Sequence, residues 1–373
     1  NCHMVGGTIF ADKAVGGLVG SNIDGVLTNC SALGSIEGNK SVGGLVGMNL
    51  GERIAGCFAS GNVTGVEDVG GLVGRADGPL RIAATTVHGP TLRARDDHVG
   101  GLVGYGVADL SITDVLVSGA DVRADVDYAG GLVGNAFDGA VIVVGSTVTG
   151  TILAGQDTAG GLIGMVGDPD LPGDDDLLLF DVTVDATVSA SNVEAGGLVA
   201  EATVDDLDVG IATIAGSVTA GGEEAAGAIA DLRAVAWADV RTTTVSADVA
   251  GDRTVGGLFG EVEATNTLFV FRTRLEGAVT ANLNNVGGIA GLVRTTSSVD
   301  VRDVVFDGAQ VVGQGDVGGV LGDVIAGTVS LDDVRTESQL VVRGTTTVSS
   351  GDRVGGLVGV VPEPSTSVVP ELH

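Results

Sequence analysis

Val42-Gly43-Gly44-Leu45-Val46-Gly47 is a hexapeptide that this chain repeats from end to end. An equal copy, Val15-Gly16-Gly17-Leu18-Val19-Gly20, precedes it, and the glycine pair starts again at 70, 100, 130, 160, 196, 256, 287, 318 and 355. A worn copy, Ala225-Ala226-Gly227-Ala228-Ile229-Ala230, fills the interval between 196 and 256. Twelve copies at a period of 27 to 31 residues, with longer steps of 36 and 37, mark a stacked-repeat architecture.

Between the glycine pairs the sequence divides into short apolar runs separated by Gly, Asp, Asn or Ser. In the second repeat the runs are Val42 to Gly47, Arg53 to Phe58 and Asn62 to Thr64; in a later one they are Val286 to Gly291, Ser298 to Phe306 and Ala309 to Val312. Runs this short, rich in Val, Ile and Thr, are strands, and none has the length or 3.6 period of a helix. One rung cannot bury its inward side chains alone, whereas stacked rungs form a continuous core with parallel pairing. The expected fold is all-β: a three-sided parallel β-solenoid (β-helix) of about twelve rungs, one domain over 1–360. Within it, 1–14 reads as part of a preceding rung, 165–176 as an insertion loop and 337–352 as an extended last rung. Residues 361–373, with Val361-Pro362-Glu363-Pro364-Ser365-Thr366-Ser367, read as a linker or tail.

The motif poses a parity problem. Its first position reads Val or Ala in every copy, and its fourth reads Leu18, Leu45, Leu72, Leu102, Leu132, Leu162, Leu198, Ala228, Leu258, Ile289, Val320 and Leu357. Positions one and four of an extended strand point to opposite faces. Either the glycine pair forms a bulge that turns both ladders inward, or the leucines form an apolar stripe outside that serves for lateral assembly. The glycines themselves are expected where the backbone needs a positive φ or where neighbouring backbones approach closely. Elsewhere charge faces out, as where Asp300, Arg302 and Asp303 alternate with Val299, Val301 and Val304.

Composition excludes several function classes. There are 64 glycines, 44% hydrophobic residues and only 3% aromatics, so the interior is built in thin layers of Val, Leu, Ile and Ala. Forty-eight acidic against 18 basic residues give a net charge of −30, the wrong sign for nucleic acid. No run approaches the ~20 apolar residues of a membrane-spanning helix. Self-repulsion at this charge is relieved near 1 M salt, where the screening length falls to about 3 Å. The acid-rich, lysine-poor composition resembles that of surface proteins of salt-loving archaea.

The stretch from Val42 to Asn49, followed by Ile54-Ala55-Gly56-Cys57-Phe58-Ala59-Ser60-Gly61-Asn62-Val63-Thr64-Gly65, resembles the GLUG repeat. That repeat occurs in large bacterial and archaeal surface proteins, adhesin-like proteins and immunoglobulin-A metallopeptidases among them, where it lies outside the catalytic domain. The first two repeats carry the resemblance over their whole length; from residue 75 onward mainly the glycine motif carries it. It implies an extracellular, cell-surface β-solenoid: a stalk, adhesin segment or filament subunit that associates with itself or with other surface components. It implies no catalytic residue, since the zinc-binding His-Glu-x-x-His is absent.

Candidate sites are few. Cys2, Cys30 and Cys57 are one period apart, so they stack as a small buried ladder, with a Cys30–Cys57 disulfide as the alternative. In the insertion loop, Asp168, Asp170, Asp174, Asp175 and Asp176 are candidate Ca²⁺ ligands, against a solvated acidic loop. Asn29, Asn39 and Asn62 head N-glycosylation triplets. His3, His88, His98 and His373 show no metal spacing and no evident partner, and Trp237, Tyr105 and Tyr128 fall on different rungs. A polysaccharide-active enzyme, which needs clustered carboxylates and sugar platforms, is thus disfavoured. The expectation is a non-enzymatic structural protein, with a cation- or glycan-binding module as the second reading.

Overall fold

The computed structural model describes residues 1–169, 175–264, 266–295, 297–326, 328–338, 340–344, 354–355, 358–360 and 369–371. It is a parallel β-solenoid in which every strand pairing is parallel and runs to the rung before or after. The middle of the chain shows three strands per rung, as in Glu194–Gly196, Val199–Val209 and Ala212–Ala220. Alternation makes these strands: in Val182–Ala190, Val182, Val184, Ala186, Val188 and Ala190 are buried while the residues between them are partly or fully exposed. Each buried valine contributes roughly 1.5–3 kcal/mol of transfer free energy. The buried residues form one continuous core from Val15 to Leu331.

The glycine motif is not one strand. Its first half lies in a separate 12-stranded sheet, as Lys40–Gly43 does, and its second half, Val46–Asn49, belongs to the large sheet that forms the rest of the wall. The chain bends between them at Gly44 and Leu45, so strand parity restarts at the bend. Val42 and Leu45 therefore both face the core. This settles the parity problem for the inward arrangement and corrects the assembly stripe. Leu45, Leu72, Leu102, Leu132, Leu162, Leu198 and Leu258 are fully buried, Leu18 packs partly buried against the core, and Leu357 lies outside the described residues.

Close approach, not positive φ, explains the glycine pair. A Cβ on Gly44 would stand 2.1 Å from the carbonyl oxygen of Gly71 in the next rung, and one on Gly47 2.4 Å from the nitrogen of Val15 in the other sheet. Rung meets rung, and sheet meets sheet, backbone against backbone. Positive φ falls instead at a corner occupied in turn by Asn29, Gly56, Ala84, Asp114, Gly145, Asp181, Thr242, Arg272, Asp303 and Asp333, with φ near 50–60° in each. Asn and Asp tolerate that region better than other side chains do. The residue that follows closes the corner: Thr85 and Ser146 donate hydroxyl hydrogen bonds to the carbonyls two residues back, Ala83 and Val144, at 3.0 and 3.1 Å.

The 36-residue step leaves the stack intact. It enters between Ile163–Val166 and Asp176–Phe180, and the second strand resumes register with both neighbours, Leu177 opposite Val141 on one side and Leu207 on the other.

Candidate functional site

The two sheets of the glycine motif meet along a seam. Glycine at the last motif position lets the strands touch: a Cβ on Gly104 would stand 2.7 Å from both the Asp68 carbonyl carbon and the Val69 nitrogen. Side chains flanking that contact are pressed together. On one side stand the residues just before the motif, Asp68, His98, Tyr128, Thr158, Glu194 and Glu224; on the other stand Arg75, Tyr105, Asn135, Met165, Glu201 and Asp231, in register rung by rung.

In the early rungs the seam is neutralised. Asp68, 2% exposed, accepts hydrogen bonds from His98 Nδ1 at 3.1 Å and from Arg75 Nη1 at 3.4 Å. Burial pushes the Asp68 carboxyl up, but the His98 hydrogen bond and the charges of His98, Arg75 and Lys40 outweigh it and hold it below its ordinary value. His98 stacks on Tyr128 with ring centroids 5.5 Å apart and lies 4.5 Å from Tyr105, over which the Arg75 guanidinium sits at 4.7 Å. Burial, followed by the charges of Glu201 and Asp127, raises the Tyr128 phenol to about 12, so it is protonated and neutral.

Further along, the seam turns acidic. Glu194 lies in register with Glu224, and Glu201 with Asp231. Arg233 is the cation among them, bonded to Glu201 Oε1 at 3.1 Å and Asp231 Oδ2 at 2.5 Å. Burial and then the charges of Glu201, Asp231 and Glu224 hold the Glu194 carboxyl well above the ordinary range. Burial, then the Asp231 and Glu223 charges, raise Glu224 to about 8; burial also lifts Asp231, to about 6, against the pull of Arg233.

The sequence-derived candidates fare differently. Cys30 and Cys57 are buried free thiols, which corrects the disulfide alternative: each follows the corner residue, Asn29 or Gly56, and donates to the carbonyl two residues back, Thr28 O and Ala55 O, at 3.4 Å, with Leu27 O of the preceding rung 3.8 Å from Cys57 Sγ. Burial raises the Cys57 thiol. The acidic loop is not one site among the described residues. Asp175 is buried and accepts from the Gly139 N–H at 2.6 Å, Asp176 is exposed on a strand opposite Asp206, Asp168 is half-buried, and Asp170 and Asp174 lie outside the described residues, as does His373. Asn29, Asn39 and Asn62 are all exposed.

Sequence reasoning missed the seam. It dispersed His98, Tyr105 and Tyr128, which the fold brings together, and gave His98 no partner where Asp68 is one. The signal was available: Asp68, His98 and Tyr128 are 30 residues apart in turn, as are Glu194 and Glu224.

A second feature lies outside. The wall strand Ile229–Arg241 and its neighbours form a groove of about 640 Å³ lined by Asp206, Asp208, Trp237, Asp239, Arg241 and Phe269. Trp237 is 59% exposed there, and the Phe269 and Phe271 rings are 6.0 Å apart beside it.

Such a stack of near-identical rungs defines a parallel β-solenoid repeat protein. Within that class, the family model of the GLUG motif matches residues 11–37 and 38–64, one rung each. No curated protein and no solved structure matches the chain. Among the described residues, no helix is long and apolar enough to cross a membrane.

Proposed function

We propose that this chain is a structural segment of an extracellular surface protein, a rod that spaces or displays rather than catalyses. The observation that carries this reading is the single core running unbroken through the rungs, which suits a stiff spacer and leaves no interior cleft to one rung. The acidic surface, the exposed Asn29, Asn39 and Asn62 and the GLUG repeats support placement outside the cell. The first strand, His3–Phe10, pairs along one edge with Ser31–Glu37 and exposes Val5 and Phe10. Self-association of the rod, or its association with other surface components, is part of this reading. Electron microscopy of native material on cells tests the reading: rods projecting from the surface are expected, and soluble isolated particles without attachment would overturn it.

The groove at Trp237 favours one second reading, a glycan-binding face. Exposed aromatic faces beside carboxylates and an arginine match the apolar faces and hydroxyls of sugars. Glycan-array binding lost in Trp237→Ala, with an unchanged melting curve, is the expected outcome.

A further inference from the structure

The acidic stretch of the seam is out of balance. Four carboxylates, Glu194, Glu201, Glu224 and Asp231, face one guanidinium, Arg233, whose hydrogen bonds go to Glu201 and Asp231. Glu194 is only 9% exposed, yet its Oε2 has no hydrogen-bond partner, and neither has Glu224 Oε2. Native proteins rarely leave buried carboxylate oxygens unmatched, because desolvating them costs several kcal/mol.

Three of these carboxylates converge. One carboxylate oxygen from each of Glu194, Glu224 and Asp231 lies within 4.8 Å of the others. Ca²⁺ takes oxygen ligands at about 2.3–2.6 Å in flexible shells, whereas Mg²⁺ demands a near-octahedral shell at about 2.0–2.1 Å, which three carboxylates fixed on two sheets suit less well. The donors are all hard oxygens, which suits such an ion.

The location adds a reason. The cluster sits at the worn copy of the motif, where Ala228 stands in place of the leucine, isoleucine or valine of the other copies. We propose that Glu194, Glu224 and Asp231 bind one Ca²⁺ that ties two successive rungs and the two facing sheets together at this point. Glu201 and Arg233 position Asp231 from the outer side.

The full chain, stripped with chelator at pH 8, is titrated with CaCl₂ by calorimetry and followed by thermal melting, with MgCl₂ in parallel. One saturable Ca²⁺ site is expected, together with a melting rise of about 3–5 °C at a hundredfold excess over Kd. Glu194→Gln with Glu224→Gln should lose that site and that rise while melting no lower than the stripped wild type, since repulsion is removed. Glu194→Asp, which keeps the charge and shortens the reach, should bind about tenfold more weakly, and Asp121→Asn on the outer wall should behave as wild type. Equal Ca²⁺ binding in the double variant would place the ions on the acidic surface at large and overturn the site. So would a wild type indifferent to Ca²⁺, its carboxyls then holding protons alone; Mg²⁺ binding as tightly as Ca²⁺ would overturn the assignment of the ion.

Discussion

A Cβ on Gly131 would stand 2.1 Å from the carbonyl oxygen of Gly161, its counterpart one rung along. The same clash, at 2.0 to 2.3 Å, recurs at Gly44, Gly71, Gly101, Gly161, Gly197, Gly227, Gly257 and Gly288. This second glycine is present in all twelve copies, whereas the first is replaced by Ala226 in the worn one. The direction of the absent side chain explains the difference. At the second position it points along the stacking axis into the backbone of the next rung, and at the first it would stand 1.8 Å from the carbonyl oxygen three residues ahead in its own chain, as Gly130 does from Val133, with Gly164 N 2.9 Å away.

Gly131→Ala should therefore destabilise the protein by about 3 kcal/mol or more, at the upper end of overpacking costs. The worn copy already carries Ala226 at the first position, so Gly130→Ala should cost less. Chemical denaturation of the two variants checks the order, and a reversed order would contradict the stacking argument.

Burial of the fourth-position ladder gives a second expectation. Leu132→Ala should cost about 2.7–5 kcal/mol, the range for a leucine removed from a tight core. Leu132→Glu should fail to fold. A leucine stripe on the surface would tolerate both changes, so expression and melting of the pair separate the two geometries.

Thiol reactivity reads the corner. Cys2 is exposed and Cys30 and Cys57 are buried, so a thiol reagent should label one cysteine in the native protein and three after denaturation. Rapid labelling of all three in the native state would show the first rungs to be open.

Asp127 predicts a pH dependence. Burial, then hydrogen bonds with Asp97 and Asp157 on the neighbouring rungs, raise its carboxyl from the ordinary 3.8 to about 7. The folded state thus binds a proton that the unfolded chain releases near pH 4, and stability from this group is present at low pH and lost as pH rises through 7. Asp127→Asn should flatten the fall in melting temperature between pH 4 and 7, measured at constant salt.

The repeat was legible because a fixed period of small and apolar residues admits few packings. Strand parity failed at Gly44 and Leu45, where a bend between two sheets resets the alternation that the reading assumed to be continuous. The seam stayed hidden because Asp68, His98 and Tyr128 are distant in sequence and unlike in chemistry, so no motif joins them. Only their common place before the first residue of the motif, copy after copy, puts them on one line. In the acidic loop, Asp175 accepts from the Gly139 amide of the preceding rung, a partner that the run of aspartates gives no sign of.

The insertion before Asp176–Phe180 separates two quantities that are fixed together in most folds. Extra residues at that corner lengthen the polypeptide without lengthening the rod, since Leu177 still sits opposite Val141 and Leu207. The corner is a port in the scaffold, where a foreign peptide can be grafted sideways and held at a known height along the axis.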